Sequence, residues 1–107
     1  MNYSTNDLTI IYSSYFTVIT FSLDYLELQS NNTKHCWRLR QSSDGFYQIE
    51  HKHHISHKYH IHSAAVSLFD CFLEITSHDD FQIRGRKPER IPTETFFDEI
   101  IKIYDHL

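Results

Sequence analysis

Six histidines, His51, His53, His54, His57, His60 and His62, fall within twelve residues. Imidazole binds borderline metals, carries protons and changes charge near neutral pH, so any chemistry in this chain is expected here. Two His-x-His pairs, His51/His53 and His60/His62, would each place two imidazoles about 6–7 Å apart on one face of a strand. A two-residue turn at Ser56-His57 would set His53 opposite His60 and His51 opposite His62. Four imidazoles would then converge in a set suited to Zn²⁺, Cu²⁺ or Ni²⁺.

The flanking residues oppose that register. From Tyr47 onward the odd positions read Tyr47, Ile49, His51, His53, Ile55, His57, Tyr59, Ile61, and the even positions are polar. Burial of the apolar series selects odd-with-odd pairing, which separates the two His-x-His pairs. His51, His53, His60 and His62 therefore stand as the weaker candidates for metal ligands. The simpler expectation is that the histidines are ordinary half-buried or surface strand residues, with no metal or other cofactor. Glu50, Asp70, Glu74, Asp79 and Asp80 could accept hydrogen bonds from ligating imidazoles, but carboxylates in such settings are more simply solvated.

Other residue types carry less. Cys36 and Cys71 are the only cysteines; Cys71 lies among Phe69, Phe72 and Leu73, where burial opposes a thiolate nucleophile, and both thiols read as small core hydrophobes. Two glycines in the whole chain leave no means of building a glycine-rich phosphate cradle. Arg84, Arg86, Lys87 and Arg90 concentrate positive charge beside Pro88 and Pro92. Arg38 and Arg40 lie on the opposite strand face from Trp37, with Phe46 and Tyr47 near enough to suggest a stacking surface for single-stranded nucleic acid. These six cations are the expected partner-binding residues.

The elements that would position these groups follow from periodicity. Residues 8–29 are rich in β-branched and aromatic side chains and read as one or two strands. Alternation over 36–41 and 46–50 around Asp44-Gly45 predicts a hairpin. The alternation then runs past a normal strand length, so a bend is expected near 53–58. Ser63 reads as the N-cap of a helix with Ala65, Val66, Phe69, Phe72, Leu73 and Thr76 on one face. Phe81–Arg84 reads as a short strand, 85–92 as a connector, and 93–107 as a second amphipathic helix.

One domain spanning 1–107 is expected, an α+β two-layer sandwich in which a meander of about four to five antiparallel strands carries two helices on one face. The formal charge is −4 with histidines neutral, which argues against a generally basic nucleic-acid binder. No apolar run is long enough to span a membrane, and the first residues lack a signal-peptide pattern, so a cytoplasmic protein is expected. In size, charge and lack of catalytic motif the chain resembles the broad class of bacterial immunity proteins and phage anti-defence inhibitors, including anti-CRISPR proteins. That resemblance implies a non-enzymatic module occluding the surface of a protein partner. The alternatives are a histidine-liganded metal-binding protein and a small nucleic-acid binder using the 84–90 loop.

Overall fold

The structure, a computed structural model, describes residues 1–85. The elements run α1 (Thr5–Ile11), β1 (Phe16–Phe21), β2 (Tyr25–Ser30), β3 (Cys36–Gln41), β4 (Tyr47–Lys52), β5 (His60–Ala65) and α2 (Leu68–Ile83). The strands form one antiparallel sheet in the order β1-β2-β3-β4-β5, so every strand pairs with its sequence neighbour. The fold is α+β, as expected. The expected helix 93–107 and most of the 85–92 connector lie outside the described residues, as do Arg86, Lys87 and Arg90.

The Asp44-Gly45 hairpin joins β3 and β4. Gly45 takes φ +92, a conformation glycine adopts without the Cβ clash that other residues meet. The register through this turn sets Trp37 opposite His51 and Leu39 opposite Ile49. Inward residues of the sheet (Leu26, Leu28, Trp37, Leu39, Ile49) join Ile10 and Ile11 of α1 and Leu68, Phe72 and Ile75 of α2 in one core cluster.

Three expectations are corrected. The chain before Phe16 does not begin as a strand: Ser4 and Asp7 form a capping box, with Ser4 Oγ accepting the Asp7 N–H at 3.0 Å and Asp7 Oδ2 accepting the Ser4 N–H at 2.9 Å. Two orphan donors are thereby satisfied, and helix wins over the β-branched run that follows. The N-cap of α2 is Ser67, whose Oγ accepts the Asp70 N–H at 3.1 Å, because Ser63, Ala64 and Ala65 are taken by pairing with Ile49, Gln48 and Tyr47 of β4. Val66 is consequently exposed. Residues 81–83 continue α2 instead of forming a strand, and Arg84 caps it with its guanidinium on Asp80 at the i, i+4 spacing, 2.9 Å away.

The bend expected near 53–58 is present, with the His57 N–H donating to the His54 carbonyl. The register beyond it is only half as expected. Tyr47 pairs with Ala65 and Ile49 with Ser63, odd with odd, but the register then shifts so that Glu50 faces Ile61 and His51 faces His60. One extra residue on β5, His62, absorbs the difference as a bulge, the device by which a strand changes which side chains share a face. Ile61 is left exposed, as is Ile55 in the connecting loop.

Candidate metal centre

Histidines from four places come together around Trp37, those of β5 by way of the bulge. His51, on inner strand β4, is 2% exposed, and its ring lies 4.3 Å, centroid to centroid, from the Trp37 indole. His35 enters from the β2–β3 turn. Lys34, just before it, has φ +67, a left-handed conformation that costs a non-glycine residue about 1–2 kcal/mol. The Lys34 N–H donates to the Ser30 carbonyl at 2.8 Å, so the turn is tight and His35 is aimed back over the sheet. His78 comes from α2, its ring 4.7 Å from His51 and 5.1 Å from Trp37.

His35 Nδ1 lies 3.0 Å from His51 Nε2, and one ring nitrogen from each of His35, His51 and His78 falls within 4.8 Å of the others. Zn–N bonds of 2.0–2.1 Å in a tetrahedron imply nitrogens about 3.3 Å apart. The three imidazoles therefore need to move by roughly an ångström or less to share one ion, a rotamer-scale adjustment. The contact between His35 and His51 uses one ring proton. Shifting that proton to the other nitrogen of the same ring frees both facing lone pairs.

Burial holds the His51 imidazolium down to a pKa of about 3, aided by the neighbouring rings of His78, His35, His53 and His62. The ring is thus neutral, the form that ligates metals. His53 stacks on His35 at 4.6 Å, while His60 and His62 lie 5.4 and 5.5 Å from His51. His62 Nε2 is 3.8 Å from Glu74 Oε1. Of the four sequence candidates, His51 joins the close triad and His53, His60 and His62 surround it; His54 and His57 contact each other in the β4–β5 loop.

His35 and His78 were not singled out by the sequence reading. The hairpin carries a signal for the first, since pairing of Cys36 with Lys52 extends to place His35 opposite His53. For the second, the inward face of α2 contains Cys71 and Ile75, and His78 continues that row by one further turn.

Asp79 corrects the expectation of a solvated carboxylate. It is fully buried, with Oδ2 accepting from the Tyr15 hydroxyl at 2.6 Å and Oδ1 from Thr33 Oγ1 at 2.9 Å. Burial raises its pKa, against the opposing hydrogen bonds from Ser30, Tyr15 and Thr33. Thr33 Oγ1 also accepts the His35 N–H at 3.2 Å, and Trp37 Nε1 donates to Ser30 Oγ at 3.1 Å. A single carboxylate thus connects the end of α2 carrying His78 to the turn carrying His35.

The expected partner-binding cations are engaged with the molecule itself where they are described. Arg38 and Arg40 both pair with Glu50. Burial works to raise the Glu50 pKa, but these guanidinium groups and Gln48 hold it below the ordinary range. Arg38 lies over Tyr59 at 4.4 Å and Arg40 over Tyr25 at 5.6 Å; the aromatic partners are these, not Phe46 and Tyr47, since Tyr47 faces the core. Both cysteines are buried, and burial pushes the Cys71 thiol up to about 12, which disfavours its thiolate form. No helix among the described residues is long and apolar enough to cross a membrane. No known protein family, curated protein or solved structure matches the chain.

Proposed function

We propose that this protein binds a borderline divalent metal ion, with zinc the best fit, through His35, His51 and His78. The observation that carries this reading is the convergence of three ring nitrogens within 4.8 Å from a turn, a strand and a helix. Like groups desolvated together cannot all be protonated, because each added positive charge would repel the next. A metal ion uses the same lone pairs and repays burial of the polar rings with coordination bonds. This is the metal-binding alternative of the sequence reading with a different ligand set: one of the four candidate histidines and two outside the run.

A second reading keeps the chain as a non-enzymatic module that occludes a partner protein. Supporting it is the outer strand β1, where Ile19 and Phe21 are exposed together with nearby Leu23 and Tyr12, a pattern suited to strand-edge recognition. The nucleic-acid reading has less support, because Arg38, Arg40 and Arg84 are ion-paired within the chain.

Zinc content separates the first two. Protein purified without a histidine tag and dialysed against micromolar Zn²⁺ should retain close to one equivalent. His35→Ala and His78→Ala should lose it, whereas His54→Ala with His57→Ala should not. Metal-free wild type, or zinc lost only when the exposed loop histidines are removed, contradicts the metal reading and favours the partner-binding one.

A further inference from the structure

Among the described residues, only His35, His51 and His78 bring ring nitrogens within 4.8 Å of one another; of the histidines around them, His53 stacks face to face on His35, His60 meets the His51 ring edge to face, and His62 Nε2 lies 3.8 Å from Glu74 Oε1. Asp79 directs both oxygens to Tyr15 and Thr33. Cys36 neighbours Trp37 on β3, and alternation along a strand sends its side chain to the other face. Cys71 is seven residues from His78 on α2, about 10 Å along the helix axis. A closed structural zinc site has four protein ligands, whereas a site with three leaves a position for an outside ligand. A cavity of about 270 Å³, lined by Asn32, Thr33, His35, Gln82 and Ile83, opens beside the triad and shares His35 with it.

Building on the metal reading, we infer that an ion held by His35, His51 and His78 keeps one coordination position open to a small monodentate anion, which enters through this cavity. Three neutral imidazoles leave the full +2 charge of the ion uncompensated in a half-buried setting, so an anionic fourth ligand is favoured over a neutral one. The cavity wall carries the side-chain amides of Asn32 and Gln82, polar groups that do not compete for the metal, while the Thr33 hydroxyl proton is already given to Asp79.

The test uses the full chain loaded with Co²⁺, whose d–d absorption reports coordination number, titrated with sodium azide. A saturable change in the visible bands is expected. Ile83, at the cavity rim and 60% exposed, can be enlarged without disturbing the core. Ile83→Trp should therefore leave Co²⁺ uptake unchanged and weaken azide binding by roughly tenfold or more through steric exclusion. Bands that ignore azide in a protein that does bind Co²⁺ overturn the open position while leaving the metal reading intact. Azide binding of equal strength in Ile83→Trp overturns the entry route. Failure to take up Co²⁺ at all removes the metal reading itself.

Discussion

His51 is where burial, charge and ligand chemistry meet in one side chain. Its ordinary pKa of 6.5 falls to about 3 in the fold, so between these values the unfolded chain binds a proton that the native chain refuses. Stability therefore rises with pH across that window and is lost as pH falls below about 6.5, by at most about 1.4 kcal/mol per pH unit for one such group. Asp79 acts in the opposite sense, because its raised pKa lets the native state bind a proton first at acidic pH. Urea unfolding of the metal-free protein at pH 7.5, 6.5 and 5.5 should show declining stability, and His51→Phe should flatten the decline. An equal slope in both proteins would place the titrating group elsewhere. The His51 ring as a candidate was legible in the sequence. Its neutral state was not, because that depends on Trp37 and on α2 lying over it.

At the scale of elements, the parts governed by local rules were legible: the Asp44-Gly45 hairpin, the bend after β4, and the helical periodicity before and after Phe72. The misses have a common cause in competition between neighbouring signals. Ser4 and Asp7 outweigh the β-branched residues of 8–11, and strand pairing with β4 claims Ser63–Ala65 before α2 can start at Ser67. The bulge at His62 was invisible to period-2 reasoning, which admits only one register at a time, and it is the bulge that lets both His60 and His62 approach His51. Asp79 couples two of these elements. Asp79→Ala leaves the half-buried Tyr15 and Thr33 hydroxyls without their acceptor, a loss smaller for each than the ~1–3 kcal/mol of a fully buried stranded group, because water can reach them. Zinc affinity should fall as well, since the turn bearing His35 and the helix bearing His78 lose their shared anchor. Asp79→Asn, which keeps an acceptor oxygen, should restore part of both. Unchanged zinc affinity in a folded Asp79→Ala protein would show that the ligands are positioned without it.

Across the whole molecule, the sheet separates two different uses of charge. On one face Glu50 gathers Arg38 and Arg40 beneath aromatic rings. Around Trp37 the imidazoles of His35, His51 and His78 collect where the β2–β3 turn, strand β4 and α2 meet. The first arrangement satisfies its own charges; the second acquires full satisfaction of its lone pairs on taking up a cation. Binding restricted to the native state would also stabilise the fold, by about 2.7 kcal/mol when free zinc stands at a hundred times its dissociation constant. X-ray absorption at the zinc edge of the zinc-loaded protein tests this account most directly. Three imidazole nitrogens and one further light atom at about 2.0–2.1 Å are the predicted first shell, with one imidazole lost in His78→Ala. A shell with two or fewer imidazoles, or with sulfur from Cys36 or Cys71, would contradict it.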